Sequence, residues 1–178
     1  MAGHNKWVKV KHKKAVTDAR KSKTFSKFAR LITVESKKAA GDTSAPSLRV
    51  VIEKARKENM PSENIERAVA RGLTGEGGAL EPVRYEAYGP GGIALIIEGL
   101  TDNTNRTGSE IKHLLSKHGL ELAAPGSAAW AFDHVDGEWT AKTATPLSEE
   151  DRAALALLLE ELHDHDDVQE IYTSAAPS

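Results

Sequence analysis

The sequence predicts an α+β protein in which a basic three-helix domain precedes an acidic α/β sandwich. Apolar residues recur at helical spacing up to about residue 72, whereas beyond it short alternating and β-branched runs are separated by Gly and Pro. The charge divides at the same place: residues 1–72 hold 18 basic and 7 acidic side chains (+11), and residues 73–178 hold 6 and 19 (−13). Such an asymmetry is typical of a chain with one half that faces a polyanion such as nucleic acid.

The amino-terminal arm carries the densest positive charge. Residues 1–38 contain twelve Lys or Arg and two acidic residues, a net charge of +10. Residues 1–14 show no sustained periodicity, so we expect an arm that is loosely ordered until it meets a partner. Trp7 either folds the arm back onto the helices or stacks on a base or sugar. The arm residues predicted to contact nucleic acid are Lys6, Trp7, Lys9, Lys11, His12, Lys13 and Lys14.

A first helix is predicted from about residue 15 to 39. Its apolar face (Phe25, Phe28, Ala29, Ile32) lies opposite a basic face (Arg20, Lys23, Lys27, Arg30, with Lys37 beyond). A basic face is often merely solvated, but this one continues a basic arm, which favours phosphate contact through Arg20, Lys23, Lys27 and Arg30.

Two further helices complete the predicted basic domain, residues 1–72. The second is marked by Leu48, Val51, Ile52 and Ala55 and ends near residue 59, and the third begins with Pro61 and stops at Gly72. Arg and Lys on these helices either extend the basic surface or form i,i+4 pairs with neighbouring Glu. Residues 73–82 lack periodicity and are predicted to be a linker.

The acidic domain, residues 83–178, is predicted to alternate strands and helices. The predicted elements in chain order are a hairpin (83–88 and 93–100 around the Gly89–Gly92 turn), a polar loop (101–106), a helix from Thr107 to His118, strands over 128–132 and 138–143, a helix that begins at a Ser148 and Asp151 capping box, and a strand over 168–173. This order predicts a largely antiparallel, ferredoxin-like sheet with helices on one face.

Catalytic and metal motifs are not found in the sequence. The chain has no cysteine, Gly89–Gly92 joins two strands instead of opening a helix, and the i,i+2 spacing of His163 and His165 does not aim both rings at one point. We therefore predict no catalysis, cofactor, metal or small-molecule substrate. A polar cluster of Asp102, Asn103, Asn105 and Arg106 is either a binding loop or a helix cap. Without a signal-peptide core or a membrane-length apolar run, a cytoplasmic protein without membrane association is expected.

Six motifs resemble the YebC/PmpR family, which includes the mitochondrial translational activator of cytochrome c oxidase. They are Met1 to Trp7, Lys11-His12-Lys13-Lys14, Asn59-Met60-Pro61 with Asn64 to Ala68, Tyr85 to Gly92, Leu100 to Asn103 with Asn105 to Thr107, and Asp166 to Gln169 with Ile171 to Thr173. The resemblance implies a helical amino-terminal domain followed by α/β domains, no catalytic activity, and a role in gene expression. Members are described as DNA-binding transcriptional regulators or as factors acting on the ribosome.

One departure from the family is large. Its members usually carry a further α/β domain between the strand at Trp130–Phe132 and the last helix, whereas here residues 133–146 form a connection of fourteen residues. We expect the third domain to be reduced to this connection. The predicted function is a non-catalytic nucleic-acid-binding regulator of gene expression. The alternatives are a ribosome-associated translation factor that binds ribosomal or transfer RNA through the same surface, and an acidic half that docks a basic protein.

Overall fold

The computed structural model describes residues 18–76 and 78–178, and these fall into two compact units. The helical unit comprises the described residues up to Glu81 together with 100–102, and the sheet unit comprises 82–99 and 103–178. No helix in these ranges is long and apolar enough to cross a bilayer.

Three helices form the helical unit: α1 (Asp18–Lys38), α2 (Pro46–Lys57) and α3 (Ser62–Thr74). Pro46 occupies the first turn of α2, where the absent N–H of proline costs no hydrogen bond, and Pro61 directly precedes α3. The apolar positions recognised in the sequence form the core, whose buried members are Ile32, Leu48, Val51, Ile52, Ala55, Met60, Ile65 and Ala68. The helical periodicity predicted for this half is therefore confirmed.

Gly72 does not stop the third helix, contrary to the sequence-based prediction. Helix α3 continues to Thr74 and ends at Gly75, which adopts a left-handed conformation with φ of 72°. A Cβ on Gly72 would lie 2.7 Å from the Cβ of Ser36 and 2.7 Å from the carbonyl oxygen of Thr33. Gly72 thus lets α1 and α3 approach closely, and the Ser36 hydroxyl donates a 2.8 Å hydrogen bond across this contact to the carbonyl of Val69.

The sheet unit contains a four-stranded antiparallel sheet with strand order β3-β1-β2-β6 and a two-stranded hairpin. Its elements are β1 (Glu81–Tyr88), β2 (Ala94–Thr101), α4 (Thr104–Lys117), β3 (Leu122–Ala123), β4 (Phe132–Val135), β5 (Glu138–Ala141), α5 (Glu149–Asp164) and β6 (Val168–Thr173). The α+β class is confirmed. The order of elements differs from the β-α-β-β-α-β order of ferredoxin-like folds, because this unit opens with a hairpin.

Both faces of the sheet are covered, and β2 contributes to each. Leu95 and Ile97 of β2 belong to the core that includes α4 and α5, whereas Ala94 and Ile96 point to the β4 and β5 side with Phe132. This two-sided burial explains why β2 is a continuous apolar run instead of an alternating one.

Two predicted boundaries in the sheet unit are wrong. Residues 128–132 do not form a strand: Ala129–Ala131 is a short 3-10 helix, and the strand begins at Phe132. Helix α4 begins at Thr104, after the cap residue Asn103, so Asn105 and Arg106 lie in its first turn and not in a loop. The predicted cap at the start of α5 is confirmed in its first half, because the Ser148 hydroxyl oxygen accepts a 3.0 Å hydrogen bond from the N–H of Asp151.

Candidate nucleic-acid interface

The densest part of the predicted interface, Lys6, Trp7, Lys9, Lys11, His12, Lys13 and Lys14, lies outside the described residues. Its remaining members, Arg20, Lys23, Lys27 and Arg30, lie on α1. Their binding of nucleic acid stays a prediction, and the structure tells how exposed they are.

The basic side of α1 is less exposed than the sequence predicts. Lys27 retains only 7% of its accessible surface, and Arg20, Lys23 and Arg30 are half-buried. On the opposite side, Phe25 and Phe28 are only half-buried, so both faces of α1 are partly covered. A long aliphatic stem allows a lysine to be largely covered while its ammonium reaches polar groups. Lys27 lies on the basic face predicted for this helix, but it is buried and not exposed to solvent.

Exposed cations also lie on α2 and α3. Lys54, Arg56 and Lys57 lie in the last turn of α2, where they also complement the negative end of the helix dipole, and Arg67 and Arg71 are exposed on α3. All five come from the half of the chain with net positive charge.

Two ion pairs on these helices join exposed side chains of neighbouring turns. Arg49 Nε lies 4.0 Å from Glu53 Oε1, and Arg67 Nη2 lies 2.8 Å from Glu63 Oε1. Exposed pairs of this kind contribute about 0 to 1 kcal/mol each. A phosphate group can therefore replace the carboxylate partner at small cost.

The predicted polar cluster at residues 102–106 serves the fold of the sheet unit. The side chain of Asn103 accepts a 3.0 Å hydrogen bond from the N–H of Arg106 and so caps α4. The Arg106 guanidinium donates to Asp167 Oδ2 at 2.9 Å, and the Thr107 hydroxyl donates to the same oxygen at 2.7 Å. Asp102 and Asn105 are exposed, and a binding role for this cluster remains a prediction.

Asp167 also belongs to a group of possible metal ligands with Glu110 and His165, whose nearest ligand atoms lie within 4.8 Å of one another. His165 Nδ1 accepts from the N–H of Asp167 at 3.1 Å, which assigns the proton to Nε2, and Nε2 lies 2.8 Å from Glu110 Oε2. The guanidinium of Arg106 is 2.9 Å from Asp167 and 3.9 Å from Glu110, so a cation already occupies this position. The group is a hydrogen-bonded ion-pair network, which makes it a poor metal site.

Sequence reasoning missed this network for a simple reason. Arg106 and Asp167 are 61 positions apart, and Glu110 and His165 are 55 apart. No local pattern pairs residues at such distances, and only the packing of α4 beside the start of β6 brings them together.

The chain therefore combines a basic helical half with an acidic α+β half. The chain belongs to the TACO1/YebC family. The model of the TACO1/YebC protein N-terminal domain matches residues 5–75, and the model of the TACO1/YebC second and third domain matches residues 80–137. The membership predicted from the six motifs is confirmed.

Relatives of this chain carry a common description. A probable transcriptional regulatory protein of Thermosipho africanus is 52% identical over 136 residues, covering 75% of this chain and 54% of the relative. Another, from Dictyoglomus turgidum, is 43% identical over 180 residues, covering 98% of this chain and 71% of the relative. The chain thus spans about half the length of the first of these relatives and 71% of the second.

A solved structure has the same fold. The crystal structure of a conserved hypothetical protein, Aq1575 from Aquifex aeolicus, superposes with a TM-score of 0.83 at 31% identity, covering 97% of each chain. The fold of this chain is therefore similar to one observed in a crystal structure.

Proposed function

We propose that this protein is a non-catalytic regulator of gene expression that binds the phosphate backbone of nucleic acid through its basic amino-terminal half. The observation that carries the proposal is the charge of +10 on residues 1–38, continued by exposed cations on α2 and α3. The names of the relatives, probable transcriptional regulatory proteins, support the same role.

The binding is expected to be strongly salt-dependent and weakly sequence-specific. Each phosphate that a Lys or Arg neutralises releases condensed counterions from duplex DNA. With about six such contacts, the logarithm of the binding constant falls with log salt at a slope of roughly −5. Base-reading side chains such as Asn, Gln or Arg in a recognition pattern are not evident on α1 to α3, so base identity contributes little.

The first experiment measures duplex DNA binding of the full chain by fluorescence anisotropy over a series of salt concentrations. Lys13→Gln with Lys14→Gln removes two arm cations, and we expect the slope to become shallower by about 2. Lys112→Gln removes an exposed cation of α4 and serves as the control, which should leave the slope unchanged. A flat salt dependence of the unaltered chain would refute the proposal.

The second experiment distinguishes DNA from ribosomal RNA, because lysine contacts with phosphate serve both. The full chain is sedimented with ribosomes at about physiological ionic strength, where the Debye length is ~8 Å, with excess duplex DNA as competitor. Protein that stays with ribosomes assigns the regulator to translation. Protein that the DNA removes assigns it to transcription, which the relatives' names favour.

A further inference from the structure

Trp130, in the sheet unit, is held in place and yet largely exposed. It lies in the 3-10 turn Ala129–Ala131, and 66% of its surface is accessible. Its indole N–H donates a 3.1 Å hydrogen bond to the hydroxyl oxygen of Tyr88, and the Tyr88 hydroxyl donates to the carbonyl of Ser127. The hydrogen-bonding group of the indole is thus used inside the protein, and the ring surface is what remains for a partner.

A buried carboxylate fixes the turn that presents this ring. Glu86, which is 3% exposed, accepts hydrogen bonds from the N–H groups of Gly126 (2.6 Å), Ala128 (3.0 Å) and Ala129 (2.6 Å). Charge-assisted bonds of this kind are about twice as strong as neutral ones. Three of them immediately before Trp130 mean that an exposed apolar ring is presented on a rigid support.

The other tryptophan of this region is engaged by the protein itself. The Trp139 ring stacks on His134, with centroids 4.0 Å apart and an interplanar angle of 5°, and the guanidinium carbon of Arg84 lies 5.0 Å from its centroid. Its N–H donates to Glu98 at 2.8 Å. Trp139 shows that flat groups and cations pack on the rings of this surface, whereas Trp130 keeps most of its ring in solvent.

The charge beside Trp130 favours a nucleotide. The N–H of Lys142 donates to the carbonyl of Ala131 at 2.9 Å, which places an exposed lysine next to the turn. The carboxylate of Glu86 is buried beneath the turn, where its oxygens face three backbone N–H donors and not the solvent beside Trp130. An aromatic ring with a neighbouring cation is the combination that binds a base and its phosphate in single strands.

We propose that Trp130 is a stacking contact for an unpaired base of single-stranded nucleic acid, with Lys142 beside it for the adjoining phosphate. The inference rests on the proposed function, and it adds a contact outside the basic half. Bases inside a duplex are stacked on one another, so this contact selects single strands, loops or ends.

The test measures binding of the full chain to an oligouridine of about 12 nucleotides, within the usual site size of ~4 to 16, and to a duplex DNA as reference. Trp130→Leu should weaken oligouridine binding at least about fivefold, because base stacking on an aromatic ring is lost. Trp130→Phe keeps a ring and should retain most of the affinity. Val135 is another exposed apolar residue (64%), so Val135→Ala is the matched control and should leave both binding affinities unchanged.

The outcomes separate the inference from the proposed function. Duplex binding by Trp130→Leu should equal that of the unaltered chain. Unchanged oligouridine binding, or an equal loss for the duplex, would overturn the stacking contact and leave duplex binding by the basic half intact as a proposal. Lys142→Gln should make the salt slope for the oligouridine shallower by about 0.7, the value for one contact with a single strand.

Discussion

The two units use their charged side chains differently. In the helical unit, the ion pairs of Glu35 with Lys38, Glu53 with Arg49 and Glu63 with Arg67 each join residues three or four positions apart on one helix. The sheet unit has a local pair too, Arg106 with Glu110, but there Arg106 also pairs with Asp167 over 61 positions and Lys117 with Glu161 over 44. The pairs within one helix support a helix that packing already holds in place. The pairs between distant residues join separate elements of the sheet unit.

This difference indicates which charges are available for a partner. Local pairs between exposed side chains add little to stability, so we expect the pairs of Arg49 and Arg67 to contribute little to the fold. The buried carboxylates Glu86 and Asp167 hold the sheet unit together and are not available to a ligand. A basic surface that the fold does not need is what we expect of a binding surface.

The largest expected effect tests this contrast directly. Asp167→Asn removes the charge that accepts from Arg106 and Thr107, and because Asp167 is buried we expect a loss of about 2 to 3 kcal/mol in the sheet unit. Glu63→Gln removes the partner of Arg67 on α3 and should cost no more than about 0.5 kcal/mol. Native-state hydrogen exchange reads each unit separately. Equal losses of stability in the two variants would contradict the distinction between local and long-range ion pairs.

Substitution of one glycine in each unit compares how tightly the helices of the two units are packed. Gly72→Ala forces a Cβ to within 2.7 Å of Ser36 and Thr33, and overpacking of this kind costs about 1 to 3 kcal/mol. Gly108→Ala, in α4, meets only Tyr85 at 3.8 Å and should raise stability by up to about 1 kcal/mol, since alanine favours a helix interior. Thermal unfolding followed by circular dichroism measures both changes. The same sign for both variants would contradict the close approach assigned to Gly72.

The acidic half should also respond to pH through Glu86. Burial raises the pKa of this carboxyl, but the N–H donors of Gly126, Ala129 and Ala128, with Arg84, outweigh it and hold the pKa below its ordinary value. Because the pKa is lower in the folded state, the stabilisation is complete above the unfolded pKa and is lost as the pH falls through the folded one.

Glu86→Gln should therefore cost about 1 to 2 kcal/mol at neutral pH, and the difference from the unaltered chain should shrink below about pH 4. Denaturant unfolding at several pH values measures this difference in the free energy of unfolding. A difference that is constant across this range would show that the charge of Glu86 does not matter.

The sequence predicted what local patterns determine. Helical periodicity placed α1 to α3, Gly89–Gly92 placed the hairpin, and Ser148 placed the start of α5. The sequence-based prediction failed where tertiary contacts determine the structure. Gly72 is a residue type that commonly ends helices, but here it allows α1 and α3 to pack closely. In the candidate interface the sequence could name basic residues but not their exposure, since the burial of Lys27 depends on what covers α1.

Helix capping also differs between the two units, and here the expected effects are the smallest. Ser148 and Asn103 cap α5 and α4 with their side chains, whereas Ala45 and Pro61, at the corresponding positions of α2 and α3, do not. Ser148→Ala should destabilise the sheet unit by about 1 kcal/mol, because the N–H of Asp151 loses its acceptor.

Ala45→Ser, where the backbone has φ of −58° and ψ of 131°, should stabilise the helical unit by about 0.5 to 1 kcal/mol. Hydrogen exchange in the first turns of α2 and α5 measures both. A gain at Ala45 would mean that the helical unit is held by its core and not by optimised termini, as expected of a unit whose surface serves a partner. No gain would show that α2 has already satisfied its amino-terminal N–H groups by other means.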